Sequence, residues 1–352
     1  MKKGFKKSYL FLFIVLIILA GCGDASPAAN TGASSGSTGT SGAAGGNSTD
    51  DGANEVPAEL VEMTIATVGQ SVQSGPIYYA MENNLWEKYG LKVKMVNLDP
   101  AASVAALISG SAHIIHAGPN IVDAAIKTDK VKVIGTYGEL PMWLYSKEIT
   151  SLADLKGKTI GSTTPGGAVD YVTKTMIRSA GLEVGKDVEI LYAGNGAAVL
   201  ATLSEGKVDA GLLLPPNNFQ GDNLGLKNIT YANDIAEVKG KYGVMGVHHP
   251  FAEKYPEAVE SYMKGFVEAS KLLRTDVEGA KAAIGKHTNL TGDKVLDQSY
   301  DIYVENDLWP TDLHIPESEI EFLLEELVVT NPAASSTKPA DVMENRYADA
   351  VE

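Results

Sequence analysis

Gln70, Ser71, Gln73 and Ser74 stand in a loop bounded by Gly69 and Pro76, directly ahead of an apolar run that begins at Ile77. Amides and hydroxyls at the start of a helix sit beside unpaired backbone N–H groups and the positive end of the helix dipole. We expect all four to touch a ligand, with Ser74 or Gly75 capping the helix and Pro76 in its first turn. Other reactive types are thin. His113 and His116, three apart on a strand, point to opposite faces and cannot hold one metal ion. No P-loop, Ser/His/Asp order or metal cluster occurs, so we expect binding without catalysis, cofactor or metal. The only arginines are Arg178, Arg274 and Arg346. Arg178 falls about eleven residues into its expected helix, roughly 16 Å from the N-terminus at 1.5 Å per residue, so a bidentate arginine clamp on a carboxylate is not expected.

Those residues need a frame, and the chain writes that frame twice. Residues 101–120 read AASVAALISGSAHIIHAGPN and residues 197–217 read AAVLATLSEGKVDAGLLLPPN. Gly110 and Gly206 lie 96 positions apart, and the same offset aligns Ala101 with Ala197, Leu107 with Leu203, His113 with Asp209 and Pro119 with Pro215. In each copy an Ala-rich helix stops near a glycine able to take the left-handed conformation. A short apolar strand follows and a proline ends it. Upstream, Thr64-Ile65-Ala66-Thr67 answers Thr159-Ile160-Gly161-Ser162, each followed by a loop, a helix ending in Gly-Leu and a second strand. The first of these helices is predicted from about Ile77 to Tyr89.

Strand, helix, strand, helix, strand, written twice, predicts an α/β protein with parallel sheets covered by helices. Two such units make two lobes with a cleft between them as the ligand site. Gly118, Asn120, Asn195 and Asn217 end strands on the edge where ligands of open α/β sheets bind, and they join the candidate site. Trp143 closes the run Gly138-Glu139-Leu140-Pro141-Met142-Trp143, where the chain should cross to the second lobe. It lines the cleft or packs the hinge. A stacked heteroaromatic ligand would use Tyr78, Trp143 or Tyr171, with Glu139 as a hydrogen-bonding acid.

The formal net charge of −15 disfavours nucleic acid and anionic membrane surfaces as partners. Residues 1–21 read as a targeting segment: Lys2, Lys3, Lys6 and Lys7 precede an apolar run over 10–19 that is short for a membrane span. Leu19-Ala20-Gly21-Cys22 resembles the lipobox of bacterial lipoproteins, which implies lipidation of Cys22, the single cysteine. Residues 22–58, rich in Ser, Gly, Ala, Thr and Asn, read as a flexible tether. The expected location is the extracytoplasmic face of a cell membrane, reached through that lipid anchor.

Residues 149–161, ITSLADLKGKTIG, resemble a run found in solute-binding proteins of ABC importers, of the nitrate/sulfonate/taurine group and its relatives that bind thiamine pyrimidine precursors. Ala80-Met81-Glu82-Asn83-Asn84-Leu85-Trp86, Gly206-Lys207-Val208-Asp209-Ala210 and Trp309-Pro310 agree, so the resemblance covers about residues 62–347. It implies the two-lobe periplasmic-binding-protein fold of type II, with residues 62–143 plus 244–347 as lobe 1 and 144–243 as lobe 2. The second crossing is placed near Tyr242, and helices around 256–274 and 317–328 return to lobe 1. It also makes Thr163, Thr164, Gly166 and Gly167 the ligand loop of the second lobe, where hydroxyls and glycines let backbone N–H groups approach an anion. His113 departs from the acid that this family carries at its turn. The implied role is delivery of a small molecule to an ABC permease and ATPase by a monomeric carrier, an organic anion being favoured. A thiamine pyrimidine precursor, another heteroaromatic, or a tethered ligand sensor is the alternative. Enzymes that share the fold use cysteines, and the one cysteine here falls in the lipobox.

Overall fold

The computed structural model describes residues 59–239, 242–290 and 294–351; the expected targeting segment, Cys22 and the tether lie outside them. Ten strands form two five-stranded sheets. The first holds β1 (Val61–Val68), β2 (Leu91–Leu98), β3 (Ile114–Ala117), β4 (Val131–Glu139) and β10 (Tyr242–His248) in the order β2-β1-β3-β10-β4. The second holds β5 (Trp143–Ser146), β6 (Lys158–Ser162), β7 (Val188–Tyr192), β8 (Ala210–Leu213) and β9 (Lys227–Tyr231) in the order β7-β6-β8-β5-β9. Each sheet is parallel except for one strand, β10 or β5, that runs against both neighbours. The duplication seen in the sequence is therefore a duplication of topology.

The repeated segments form equivalent elements. Asp99 caps α2 (Pro100–Ser109) by accepting from the Ala102 N–H at 2.8 Å, and Gly110 ends it at φ +77°. Asn195 caps α5 (Gly196–Ser204) through the Ala198 N–H at 3.0 Å, and Gly206 follows at φ +73°. Glycine suits both stops because it has no Cβ to clash. The helix expected over 77–89 is shorter. α1 spans Gly75–Glu82, Asn84 takes φ +50°, and a 3-10 turn covers Glu87–Tyr89. Asn83 and Asn84 are poor helix formers that tolerate the left-handed region, and Trp86 is pinned in the core by donating to the Tyr262 carbonyl at 3.0 Å.

Burial alternates along the first sheet. Met63, Ile65, Ile114, Met245 and Val247 face one apolar cluster, while Ala66, Ile115, Val133 and Val244 face another. Helices cover both faces, which is what a largely parallel sheet requires. α1, α8 (Pro256–Leu272), α9 (Val277–Thr288) and α10 (Lys294–Glu305) supply the first cluster. α2, α3 (Asn120–Lys127) and α11 (Glu317–Leu327) supply the second, and α7 (His249–Lys254) bridges β10 to α8. The second sheet packs α4 (Ala168–Ser179) on one face and α5 with α6 (Asn217–Asn223) on the other. Trp143, expected at the end of the first lobe, pairs with Leu213 and Tyr231 in the second sheet. Tyr242, expected in the second lobe, already pairs with Glu139 in the first. The return crossing therefore precedes Tyr242.

The turn at His113 keeps the geometry of its counterpart. Asp209 accepts from the Thr159 N–H at 2.8 Å, and His113 Nδ1 accepts from the Thr64 N–H at 3.1 Å. The backbone bonds match too, His113 N–H to the Thr64 carbonyl at 2.7 Å and Asp209 N–H to the Thr159 carbonyl at 2.8 Å. A neutral imidazole supplies one acceptor nitrogen, which is all this position needs. Burial, and then His248, holds its pKa below the ordinary value.

Candidate functional site

The carboxyl ends of β1, β3, β6 and β8 carry most of the expected site residues. In the second lobe, Thr163, Thr164, Gly166 and Gly167 lead into α4, whose cap residue Gly167 contributes no side chain. A Cβ at Gly167 would lie 3.2 Å from Thr164 Oγ1 and 4.0 Å from Thr163 Oγ1, so both hydroxyls border the helix start. Gly194 donates to the Thr163 carbonyl at 2.8 Å, tying in the loop that holds Asn195. Asn195 itself is used as the cap of α5. The Asn217 amide lies against the same helix start, 2.8 Å from where a Gly196 Cβ would stand.

This helix start already has an anion of its own. Asp170, fully buried in the first turn of α4, accepts from the Gly166 N–H, from Lys174 Nζ and from the Tyr192 hydroxyl, each at 2.8 Å. A carboxylate there takes up the favourable end of the helix dipole.

The first lobe meets this loop directly. A Cβ on Gly118, at the end of β3, would sit 3.0 Å from the Ala168 nitrogen and 3.6 Å from the Gly167 Cα. Asn120 is occupied locally: its Oδ1 accepts from the Gly118 N–H at 3.2 Å and its Nδ2 donates to the Pro100 carbonyl at 3.4 Å. Elsewhere the lobes touch through Tyr171, buried in the second apolar cluster of the first lobe, and through Arg178, whose guanidinium donates to Glu326 at 2.8 Å. Tyr171 is therefore core at the lobe junction. Tyr78 is core as well, stacked on His287 at 4.6 Å, so neither expected stacking residue presents an open ring. Trp143 stacks on Tyr231 at 4.7 Å.

The four loop residues of the first lobe separate in role. Gln70 is exposed, and its Oε1 accepts from Asn289 at 3.3 Å. Ser71 caps a 3-10 turn, Val72–Ser74, by accepting from the Gln73 N–H at 3.2 Å. Ser74 is buried at the start of α1 and makes no side-chain cap there. Gln73 is 2% exposed; its Nε2 donates to the Tyr137 carbonyl at 2.7 Å, while Oε1 has no partner among the described residues.

Around Gln73 lie residues that sequence reasoning did not select. The Tyr137 ring is 4.8 Å from the His116 ring and its hydroxyl donates to the Ala117 carbonyl at 3.1 Å. Tyr303 on α10 is fully buried and stacked on Trp309 at 5.1 Å, its hydroxyl without a partner in hydrogen-bonding geometry among the described residues. Burial raises its pKa strongly, followed by Tyr137 and by Tyr231 of the second lobe. Tyr231 and Tyr242 are pushed up to about 12, by burial first and Glu139 second. At the strand ends, Thr67 Oγ1 and Ser162 Oγ are buried without partners among the described residues. The two occupy the same place in the two copies, which is the one signal that the sequence carried for them.

A surface groove of about 340 Å³, lined by residues such as Lys127, Asp129 and Lys132, lies at the start of β4. That is the opposite edge of the sheet from the one ligands use in open α/β folds. Among the described residues, no group of three or more His, Cys, Asp or Glu is arranged to hold a metal ion, and no helix is long and apolar enough to cross a membrane.

A family model described as NMT1/THI5 like matches residues 71–275. Several solved structures share the fold. The nitrate-binding protein NrtA of Synechocystis PCC 6803 superposes with a TM-score of 0.68 at 15% identity, covering 84% of this chain and 91% of that one. The aliphatic sulphonate-binding protein SsuA of Escherichia coli gives 0.64 at 20%, covering 81% and 92%. A zinc-bound ligand-binding component of an ABC-type import system from Staphylococcus aureus gives 0.67 at 15%, covering 83% and 99%. No curated protein matches the chain in sequence.

Proposed function

The chain belongs to the NMT1/THI5-like family, and from that membership we propose that it is the substrate-binding component of an ABC importer, without enzymatic activity. It captures a small organic molecule between its lobes and presents it to a permease driven by an ATPase. The observation that carries this reading is the meeting of Gly118 with the start of α4, where strand ends of both sheets face one another across the lobe junction. Two chain crossings join the lobes, so a hinge can open and close there. Cys22 and the residues around it would fix the protein to the outer face of a membrane, because a diacylated cysteine with an amide-linked chain gives the two lipid signals that stable anchoring needs.

The sulphonate and nitrate proteins suggest an anion. Two features favour a different ligand. All three arginines have partners: Arg178 with Glu326, Arg274 with Asp307 and the Trp309 carbonyl, Arg346 with Glu344. Asp170 already occupies the start of α4. We therefore favour a small organic ligand held by hydroxyls, amides and aromatic surface. The test is a thermal-shift and scattering experiment on the full-length chain with nitrate, alkanesulphonates, aromatic carboxylates and pyrimidines. A ligand at a hundred times its Kd adds about 2.7 kcal/mol of stability, and saturation should reduce the radius of gyration. If no compound raises the melting temperature or compacts the chain, the reading fails.

A further inference from the structure

Four buried polar atoms with no hydrogen-bonding partner among the described residues gather on one face of the first sheet. They are Thr67 Oγ1, Gln73 Oε1, His116 Nδ1 and the Tyr303 hydroxyl, on residues that are 1%, 2%, 2% and 0% exposed. Thr67 and His116 are register partners on the neighbouring strands β1 and β3. They lie on the face that carries Ile65 and Ile114 into the first cluster. Tyr137 links two of the rest, its carbonyl taking the Gln73 amide and its ring packing on His116; α10 brings Tyr303 against the 3-10 turn that holds Gln73, where Tyr303 stacks on Trp309 and Trp309 donates to the Val72 carbonyl. α6 of the second lobe packs against α10, and its Phe219 lies against the first cluster, which places the group at the junction of the lobes.

Buried polar groups are paired in the great majority of native structures. Leaving several unpaired in one place is destabilising and marks a site that something else completes. The chemistry of the four atoms defines what that is. Gln73 Oε1 can only accept, so it calls for a donor. Thr67 and Tyr303 hydroxyls give or take a hydrogen bond. His116 shares its Nε2 with the Tyr262 hydroxyl at 2.8 Å, and burial pushes its pKa down to about 3, so it is a neutral ring. None of the four offers a positive charge. A desolvated anion would face a carbonyl oxygen with nothing to balance it.

We propose that Thr67, Gln73, His116 and Tyr303 form the subsite that reads an uncharged group with adjacent donor and acceptor atoms, such as a carboxamide or lactam, on the ligand of this protein. The inference rests on the binding-protein reading above and names the chemistry of its ligand. It makes a demand that a purely structural role does not. Removing an unpaired buried hydroxyl leaves the ligand-free fold unharmed or firmer, and weakens only the complex.

The experiment compares matched pairs on the full-length chain: nicotinamide against nicotinate, benzamide against benzoate, with taurine and nitrate as simple anions. Calorimetry and thermal shift are run on the wild type, Thr67→Val and Tyr303→Phe. The expected result is binding of an amide in preference to its acid, affinity lower by about tenfold in each variant, and ligand-free melting temperatures unchanged or raised. Preference for the acids, taurine or nitrate would overturn the subsite while leaving the binding-protein reading intact. So would wild-type amide affinity in both variants. Lowered ligand-free melting temperatures would make the hydroxyls structural and overturn it too. Binding of no member of either class would count against the subsite and the binding-protein reading together.

Discussion

Replacing His113 tests whether the duplicated turn is held as the structure indicates. His113→Ala removes the acceptor of the Thr64 N–H and the ring that stacks on Phe251 at 4.1 Å. An unpaired donor costs about 1–3 kcal/mol and the stacking about 0.5–1.5 kcal/mol. Thr64 is only half-buried, so the lower ends apply and the loss is roughly 1.5 kcal/mol. At roughly 2 °C per kcal/mol for a chain of this size, the melting temperature should fall by about 3 °C. His113→Asn keeps an acceptor oxygen, as Asp209 does in the other copy, and should lose less than half of that. The pH dependence follows from the direction of the shift. The folded pKa is below the unfolded value, so the stabilisation is complete above about pH 6.5 and is lost as pH falls through the lowered value. His116 adds a slope of the same sign, extending down to about 3. His113→Asn should therefore flatten the acid limb, by at most about 1.4 kcal/mol per pH unit, without removing it. Thermal melts from pH 7.5 to 4 provide the assay. If His113→Asn is as damaging as His113→Ala and the acid limb is unchanged, the acceptor account of the turn is wrong.

Two further substitutions probe closure and anchoring. Gly118 has a backbone conformation open to any residue, so Gly118→Val should fold normally, yet its side chain would drive into the Ala168 nitrogen and Gly167 Cα. We expect ligand affinity to fall at least tenfold, with no compaction on saturation in small-angle scattering; unchanged affinity would show that the lobes do not close on that contact. Cys22→Ser should release the protein from membranes in a fractionation assay, and retention after loss of the signal segment would end the lipoprotein reading.

The fold was legible because it is repeated. One Ala-rich helix with a glycine stop is weak, but two at a fixed offset, each with the same strand before and after, leave few architectures. The departure at His113 also became intelligible once its partner was visible, since sequence cannot say that the position asks only for one acceptor atom. Local detail was less accessible. The helix over 77–89 broke at Asn83 because Trp86 is anchored by Tyr262, some 176 positions away, and no window of sequence contains both. The same limit hid much of the candidate site. Gln73 could be chosen from its loop, whereas Tyr303 reaches it only because the C-terminal helices fold back on the first lobe. Tyr78 and Tyr171, named as stacking surfaces only for a heteroaromatic ligand, are both engaged in packing, which sequence spacing does not show.

On the proposed reading the two copies divide the work of recognition unequally, and their differences bear on the charge of the ligand. Near the end of an interior strand each sheet carries a buried hydroxyl with no partner among the described residues, Thr67 in one and Ser162 in the other. Beyond that point the copies part. In the first lobe the path into α1 is a 3-10 turn whose Gln73 is buried, and Trp309 is packed against Gly75 and donates to the Val72 carbonyl at 3.1 Å. In the second lobe it is a glycine loop with one N–H already held by Asp170. A receptor that drew an anion with helix dipoles would keep those N-termini clear. Here one is covered by an indole and the other already holds the Asp170 carboxylate, itself paired with Lys174. The formal charge of −15 gives no long-range attraction for an anion either. On the proposed reading, selection is left to uncharged side chains in a desolvated place, where a missing hydrogen bond is expensive and a matched one discriminates strongly. If the subsite is as proposed, it gains its specificity from shape and donor–acceptor order, and it gains nothing from a ligand's negative charge.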